Sequence, residues 1–346
     1  MEGMDTTDYF ESYEDLEIHQ LMLSDVARNK AYKKAIEDNA KEIKGKTVLD
    51  VGAGTGILSV FFAKAGAKKV YAVEASNVYK IAEDVVKENQ LSSVIEVIHG
   101  KVEEIDLPEK VDIIVSEWMG FYLLHEAMLD SVIFARDKFL KEGGLMFPES
   151  ATLYSAACSV PSMFEYWNNV DGVSMRCFGE KLRQKASQKP ITEQIDPENI
   201  LTDPENVLWL DLREVTAEDL NNIKIQQLAV ANKEGTYQGI CLWFTCNFPS
   251  YGTEPVTLST DPEEEETHWK QTTIVLPTQI NVEKGTPLAY ELGLQRCNEN
   301  NRRYKIEVTM LDPDEIEHPE FCNCYLTKCI LVRAMLEKYE KDSLPN

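Results

Sequence analysis

The chain has 346 residues, of which 43% are hydrophobic and 27% are charged, as in an ordinary globular protein with two domains or one large domain carrying an insertion. With 35 basic and 59 acidic residues its formal net charge is -24, so its surface repels nucleic acid and anionic membranes and attracts basic ligands. Composition therefore favours a basic macromolecule as partner, although an acidic surface can also serve solubility alone.

Cysteine usage and hydropathy indicate an intracellular protein. The chain has eight cysteines without a Cys-x-x-Cys pair, an acidic N-terminal stretch unlike a signal peptide, and no apolar run near the roughly 18 residues of a membrane span. We therefore expect a reduced protein in the cytoplasm, the nucleus or both. His318, Cys322, Cys324 and Cys329 cluster in sequence, but they lack the two paired ligand sets typical of structural zinc, so no metal is predicted.

The N-terminal half is predicted to combine helices with a parallel sheet. Apolar residues recur at mostly helical spacing from Ile18 to Ile36, which indicates one or two amphipathic helices packed outside the sheet. From Thr47 to about Phe147, strand-like and helix-like segments alternate, which predicts a doubly wound sheet with ligands at the carboxyl ends of its strands. The predicted strands are TVLDV, KVYAVEA, VIEVIHG, VDIIVSE and GLMFP, with helices near residues 58–65, 82–89 and 128–139.

A glycine-rich loop follows the first strand, in the stretch TVLDVGAGTGIL. Gly52, Gly54 and Gly56 allow a sharp turn and a close approach of the backbone to a ligand. The spacing differs from the Gly-x-Gly-x-x-Gly fingerprint of dinucleotide sites, and Asp50 beside it suits a cationic ligand such as S-adenosylmethionine better than a diphosphate. Glu74 ends the second strand, where such a sheet places the acid that binds ribose hydroxyls. A plain structural turn is the alternative interpretation of the loop.

The pattern changes at Pro148. Short alternating segments then follow, separated by turn residues, which predicts an antiparallel barrel or sandwich. These segments are ATLYSAA, QGICLWFTCNF, VTLST, KQTTIVL, PLAYELGLQ and RYKIEVTML. The polar stretch at residues 164–204 contains Trp167 and Phe178, which suggests an arm that docks on another surface. The acidic run at residues 261–266 is typical of a solvated loop.

Two glutamates are candidate catalytic residues. Glu117 follows the fourth strand at the ligand-binding edge, and Glu126 lies near the start of a helix. If the segment between them turns back on itself, both carboxylates reach one pocket, where they would bind and align a guanidinium group. Alternatively, Glu117 caps a loop and Glu126 favours a helix N-terminus. His268 is either structural or part of a site in which Trp269 faces a cation.

Together, the motifs VLDVGAGTGIL, VEAS, GKVEE, SEWMG with the glutamate that follows it, and THWK resemble those of the protein arginine methyltransferases, most closely the type I members. The resemblance runs from about Tyr9 to the C-terminus and is loose in the arm and the last strands. It implies an α/β + β fold. N-terminal helices that cover the cofactor (residues 1–40) would be followed by a Rossmann-like domain that binds S-adenosylmethionine (residues 41–147). An antiparallel β-barrel-like substrate domain (residues 148–346) would follow, with a helical dimerisation arm (residues 164–204).

The same resemblance implies roles for individual positions. The catalytic residues would be Glu117, Glu126, His268 and its partner Asp25. The substrate pocket would contain Tyr13, Met22, Met128 and Trp269. The cofactor-binding residues would be Tyr9, Phe10, His19, Arg28, Asp50, Gly52, Gly54, Glu74, Ala75, Val102, Glu103, Glu117 and Met128. Arg28 would pair with the methionyl carboxylate, and Glu74 would bind the ribose. Phe121 departs from the family because many members have tyrosine there, which bears on substrate preference.

The implied activity is methyl transfer from S-adenosylmethionine to the terminal guanidino nitrogens of arginine in basic proteins, such as histone tails and Arg-Gly-rich proteins. Met22 and Met128 imply monomethyl and asymmetric dimethyl products. The expected assembly is a homodimer that binds neither membranes nor nucleic acid directly. The alternatives are a methyltransferase of another substrate class and a catalytically silent scaffold that binds arginine-rich proteins. The presence of Glu117, Glu126, Asp50 and His268, any of which a scaffold could have lost, disfavours the scaffold.

Overall fold

The computed structural model describes residues 13–252, 254–297 and 300–343. The helices are α1 (Leu16–Ser24), α2 (Val26–Asp38), α3 (Ala40–Ile43), α4 (Ile57–Lys64), α5 (Tyr79–Glu88), α6 (Leu129–Phe139), α7 (Arg176–Ala186) and α8 (Thr327–Ser343). The first five strands are β1 (Thr47–Val51), β2 (Lys69–Glu74), β3 (Ile95–His99), β4 (Val111–Val115) and β5 (Leu140–Phe147). The others are β6 (Ser150–Cys158), β7 (Ile191–Glu193), β8 (Glu205–Asp211), β9 (Asn222–Val230), β10 (Gly235–Asn247), β11 (Thr257–Ser259), β12 (Gln271–Val282), β13 (Pro287–Arg296) and β14 (Tyr304–Leu311).

The first five strands form a parallel sheet in the order β3-β2-β1-β4-β5. The chain runs outward from β1 to β3 and then continues on the other side of β1, so the order reverses between β1 and β4. A ligand crevice is expected outside the carboxyl ends of the strands at such a reversal. Every residue of β1 is buried, as its unbroken run of mostly apolar residues predicts. The predicted doubly wound sheet is confirmed.

The remaining strands form two antiparallel sheets. One has the order β7-β12-β10-β6-β8 with β11 added to β10, and the other has the order β14-β13-β9. A buried hydrogen bond of 2.8 Å between the Ser155 and Tyr290 hydroxyls joins β6 of the larger sheet to β13 of the smaller one. The predicted antiparallel strands are confirmed, whereas β7, β8, β9 and α8 were not predicted. Strand β7 has only three residues, and β8 and β9 alternate only partly between buried and exposed positions.

One hydrophobic core joins the parallel sheet, the N-terminal helices and the antiparallel sheets. Tyr32 of α2 packs edge-on against Phe248, which follows β10, with ring centroids 4.8 Å apart. Phe248 also lies against Phe147, which ends β5 and precedes a cis peptide bond to Pro148. These contacts fix the N-terminal helices beside the carboxyl end of β5, and the Tyr32 hydroxyl donates a 3.0 Å hydrogen bond to the carbonyl oxygen of Ser116, just after β4. Within the described part of the chain, no helix combines the length and apolar character needed to cross a bilayer.

Candidate active site

The carboxyl edge of the parallel sheet borders a cavity of about 350 Å³, a size suited to a small organic ligand. Loops after β1, β2 and β4 line it together with α1 and the segment after β11. Its lining includes the predicted residues Tyr13, His19, Met22, Arg28, Gly52, Gly54, Glu74, Ala75, Val102, Glu103, Glu117, Glu126, Met128, His268 and Trp269. Tyr9 and Phe10, which were predicted to bind the cofactor, lie outside the described residues.

The glycine loop brings bare backbone to the cavity. Gly52 and Gly54 have φ angles of 70° and 55°, in the left-handed region that glycine adopts without strain. A Cβ atom on Gly52 would lie 2.2 Å from Met128 Cε, and one on Gly54 would lie 3.6 Å from His19 Cε1. Gly52 therefore leaves room for Met128, whereas the contact with His19 at Gly54 would be an ordinary one.

Glu74 joins the ends of β1 and β2 at the cavity wall. Its Oε2 accepts a hydrogen bond of 2.8 Å from the Gly54 amide, and its Oε1 accepts one of 2.7 Å from the Ser76 amide. The backbone bonds fix the orientation of the carboxylate. Each carboxylate oxygen has a second lone pair, so the group can still accept bonds from two neighbouring hydroxyls.

Asp50 does not line the cavity, contrary to the prediction that it belongs to the cofactor contacts. It is fully buried beneath the loop, where its Oδ2 accepts a 2.7 Å hydrogen bond from Ser59 Oγ. Burial raises its pKa from 3.8 to about 7, although the bond from Ser59 acts in the opposite direction. The acid that faces the cavity at these strand ends is Glu74 instead.

Asp50→Asn is expected to stabilise the protein more at about pH 8 than at about pH 5. Below a pH of about 7 the folded protein keeps a proton on Asp50 that the unfolded chain has already released, so stability falls as pH rises through this interval. Between these two pH values the difference in unfolding free energy between variant and wild type should rise by up to about 3 kcal/mol. Urea unfolding of both proteins at each pH measures it, and a difference independent of pH would contradict the buried acid.

The segment between Glu117 and Glu126 turns back on itself. Backbone bonds of 3.0 Å run in both directions between Gly120 and Leu123. Glu126 has a φ angle of 71°, and three neighbouring non-glycine residues, Tyr122, Leu123 and Ala127, also have positive φ angles. Such backbone is strained and persists only where its surroundings enforce it, which is common at functional sites. The turn brings both carboxylates into the cavity, which was the first of the two interpretations that the sequence left open.

The two glutamates have different partners. Glu117 Oε2 forms a 3.0 Å ion pair with Arg28 Nε, and both side chains are less than 10% exposed, at 9% and 6%. Glu126 Oε2 accepts a 2.6 Å hydrogen bond from the Tyr13 hydroxyl. Arg28 also donates from Nη1 to Asn29 Oδ1 at 2.8 Å. Because a guanidinium has five N–H donors, Arg28 can bind a ligand carboxylate while it holds Glu117.

Asp25 and His268 form the predicted pair at the cavity wall. His268 Nδ1 and Asp25 Oδ2 are 2.6 Å apart, and the His268 amide donates to the same oxygen at 2.9 Å. Asp25 also caps α2 by accepting from the Arg28 amide at 2.8 Å. Burial acts to raise the pKa of Asp25, but the hydrogen bonds from His268 and Arg28 outweigh it and hold the pKa below 3.8. A charged carboxylate on Nδ1 leaves Nε2 of the imidazole to exchange a proton.

Sequence reasoning missed several residues of the cavity wall. Met119 lies in the turn and accepts a 2.8 Å bond from the Trp269 indole through its carbonyl. Ser131 donates to Glu103 at 2.7 Å. Arg302, between β13 and β14, donates to the Glu126 carbonyl at 3.0 Å. The acidic composition pointed to cation binding but gave no signal for an arginine so distant in sequence from the glycine loop.

Two parts of the chain match known protein families. Residues 48–144 match the family described as "Methyltransferase domain", so the parallel-sheet part is that of a methyltransferase. Residues 149–310 match the family described as "Arginine methyltransferase oligomerization subdomain".

Relatives along most of the chain specify the family further. Protein arginine N-methyltransferase 6 of Danio rerio is 43% identical over 317 residues, which cover 90% of each chain. The structure titled "Trypanosoma brucei PRMT1 enzyme-prozyme heterotetrameric complex with AdoHcy" superposes with a TM-score of 0.78 at 35% identity, covering 89% of this chain and 98% of the other. The structure titled "Crystal structure of PRMT6-SAH" has a TM-score of 0.74 at 34% identity, covering 86% and 100%. This chain belongs to the protein arginine methyltransferases.

Proposed function

We propose that this protein transfers methyl groups from S-adenosylmethionine to terminal guanidino nitrogens of arginine in basic proteins. The observation that carries this proposal is the convergence of Glu117 and Glu126 in the cavity that also contains the glycine loop and Glu74. A single carboxylate could bind many cations. Two carboxylates in an enclosed site match the planar, doubly hydrogen-bonding fork of a guanidinium.

The cavity wall suits S-adenosylmethionine, which supplies an electrophilic methyl group on a sulfonium when it is bound. The oriented carboxylate of Glu74 can accept bonds from two ribose hydroxyls. Arg28 can bind the methionyl carboxylate through its remaining N–H groups. Val102 and Glu103 line the same cavity, and we propose that they contact the adenine. We also propose that the chain divides, as the resemblance implies, into helices that cover the cofactor, a domain that binds the cofactor and a domain that binds the substrate.

The two carboxylates would overcome the main obstacle to the reaction, which is electrostatic. An arginine side chain is protonated at neutral pH, and a cation is a poor nucleophile towards a second cation. Glu117 and Glu126 offset the positive charge of the guanidinium and hold its planar fork still, so that one terminal nitrogen points at the methyl group. Such alignment can supply roughly 7 kcal/mol or more of the barrier reduction.

We assign the positioning role to Glu117 and the proton-accepting role to Glu126. The ion pair with Arg28 fixes the orientation of the Glu117 carboxylate, which suits it to position the substrate. Glu126 accepts a hydrogen bond from the Tyr13 hydroxyl and lines the same cavity, where its carboxylate can accept the proton of the substrate. His268, supported by Asp25, would pass the proton outward.

Asp25→Asn tests the outward proton path. We expect kcat to fall by roughly 10- to 100-fold with little change in KM, because an amide in place of the carboxylate no longer fixes the Nδ1 proton of His268 and so no longer orients Nε2 for proton transfer. Asparagine retains a side-chain oxygen that can cap α2. The measurements are kcat, KM and the melting temperature. An unchanged kcat with a lowered melting temperature would reduce Asp25 to a structural role.

We further propose that the enzyme is type I and acts on histone tails or Arg-Gly-rich proteins in the cytoplasm or nucleus. Met22 and Met128 line the cavity, and their bulk would limit how the substrate nitrogens are presented. Phe121 lines its edge and is 37% exposed, so it is available to contact a substrate. The acidic residues 263–266 are exposed and directly precede Thr267 and His268, so they would attract a basic tail to the cavity.

We propose a homodimer that forms through residues 164–204. This segment contains α7, and Trp167 packs edge-on against Phe178 with ring centroids 4.8 Å apart. Tyr166 and Phe178 nevertheless remain 58% and 48% exposed. Exposed aromatic side chains on a protruding segment are typical of a protein interface.

Labelled methyl transfer tests the substrate class. We expect label from S-adenosylmethionine in an Arg-Gly-rich peptide, and none in a matched peptide with lysine at each arginine, because an ammonium cannot present the guanidinium fork. Free nucleic acid serves as a third acceptor. Label in the nucleic acid or in the lysine peptide at a comparable rate would contradict the proposal.

A further inference from the structure

We propose that His318, Cys322, Cys324 and Cys329 bind a structural Zn²⁺ ion near the C-terminus. The first three lie in the connection between β14 and α8, and Cys329 lies in the first turn of α8. All three cysteines are buried, and the four potential ligand atoms lie within 4.8 Å of one another. None of the four residues lines the active-site cavity, so this proposal is independent of the proposed function.

The distances fit tetrahedral zinc. His318 Nδ1 lies 3.4 Å from Cys322 Sγ, 3.5 Å from Cys324 Sγ and 3.1 Å from Cys329 Sγ. With Zn–S bonds of about 2.3 Å and a Zn–N bond of about 2.0 Å, a tetrahedral site separates nitrogen and sulfur by roughly 3.5 Å. One ion at the centre of the four atoms therefore requires only small movements.

The orientation of His318 supports its role as a ligand. Its Nε2 lies 2.7 Å from the Pro313 carbonyl oxygen, which can only accept a hydrogen bond. The ring proton must therefore lie on Nε2, which leaves a lone pair on Nδ1 directed at the sulfurs. A backbone carbonyl that fixes the tautomer in this way is the usual second partner of a metal-binding histidine.

The surroundings suit a closed, structural site. Three thiolates and a neutral imidazole give the zinc complex a charge of -1, and binding releases the thiol protons to solvent. Arg333 donates to the carbonyl oxygens of Cys322 and Cys324, so a cation lies beside the cluster. Four protein ligands leave no open position for substrate, unlike a catalytic zinc. The three sulfurs also make zinc a better occupant than magnesium or calcium.

The ion would fix α8 to the smaller antiparallel sheet. The cysteines pack against Leu228 of β9 and Ala289 of β13, while residues 312–326 have no regular helix or strand. A connection of this length without regular structure is uncommon in a compact domain. The sequence prediction of no metal rested on the absence of paired ligand sets. The fold instead brings one compact His-x3-Cys-x-Cys-x4-Cys segment around a single point.

Metal analysis of the full chain, purified without chelator or a metal-binding tag, tests the site. We expect about one zinc per chain in wild type and less than about a tenth in Cys324→Ser. Cys177→Ser, at an exposed cysteine of α7, is the matched control and should retain the zinc. Cobalt exchanged into wild type should show the intense absorption of a tetrahedral thiolate complex, a readout that does not depend on whether Cys324→Ser folds.

Three outcomes would overturn the proposal. The first is wild type that contains less than about a tenth of an equivalent of zinc after incubation with the ion and shows no cobalt–thiolate spectrum. The second is equal zinc loss in Cys177→Ser and Cys324→Ser. The third is iron in place of zinc at the same stoichiometry.

Discussion

Glu126→Gln is expected to lower kcat for arginine methylation by at least about a thousandfold, while the Kd for S-adenosylmethionine changes by less than about threefold. Glutamine has nearly the same shape and can still accept the Tyr13 hydroxyl bond that holds Glu126 at 2.6 Å. It cannot balance the charge of the guanidinium or accept its proton. The loss should therefore appear in turnover, and calorimetry with S-adenosylmethionine should report a bound cofactor.

Glu117→Gln should also nearly abolish turnover, because the ion pair of Glu117 with Arg28 orients the carboxylate that positions the substrate. Glu88→Gln, an exposed position on α5, is the matched control and should retain full activity. Substantial activity in the Glu117→Gln, Glu126→Gln double variant would rule out the charge argument. If kcat falls only tenfold or less in Glu126→Gln alone, another group must accept the proton.

Gly120→Ala is expected to lower kcat/KM for an arginine peptide by at least about a hundredfold, since small displacements of aligned groups have effects of this size. A Cβ atom at this position would lie 2.2 Å from the His125 carbonyl oxygen and 2.7 Å from its carbon. These are backbone atoms of the same turn, and a 3.2 Å hydrogen bond from the His125 amide to the Phe121 carbonyl oxygen holds His125 in place. The turn must therefore open, which separates the two catalytic carboxylates.

Measuring cofactor binding distinguishes a displaced turn in Gly120→Ala from misfolding of the variant. S-adenosylmethionine should bind Gly120→Ala within about fivefold of wild type, because the turn lies beyond the glycine loop and Glu74. Gly293→Ala is the matched control, since a Cβ atom there would meet only the Glu307 carbonyl oxygen at 3.9 Å. Wild-type kcat/KM in Gly120→Ala would mean that the convergence of the glutamates does not depend on this turn.

Local patterns predicted the fold well. The apolar run of β1, the alternation of strands with helices and the turn signals after Pro148 are properties of neighbouring residues, and each produced the expected element. The topology predicted that Glu74 and Glu117 lie at the same edge of the sheet, because the carboxyl ends of parallel strands are on the same side. Spacing also suggested that Glu126 could return to Glu117, provided that the chain turned between them.

Interactions between distant residues account for what the sequence did not reveal. The approach of Arg302 to the Glu126 carbonyl depends on how the smaller sheet packs beside the turn, and no local signal encodes it. Asp50 was predicted to bind the cofactor, but its side chain faces Ser59. An acidic residue beside a glycine loop has the same sequence pattern in either orientation. The grouping of His318 with three cysteines likewise depends on an irregular connection that has no periodic pattern.

Product analysis tests the central claim most directly. A histone mixture and an Arg-Gly-rich peptide are incubated with the protein and S-adenosylmethionine, and the products are examined by mass spectrometry and amino-acid analysis. Two carboxylates that grip a guanidinium, beside Met22 and Met128, predict monomethylarginine followed by asymmetric dimethylarginine. Symmetric dimethylarginine would contradict the assigned role of the methionines. The absence of any methylarginine, with cofactor binding intact by calorimetry, would contradict the assignment of Glu117 and Glu126 as an arginine-methylating pair.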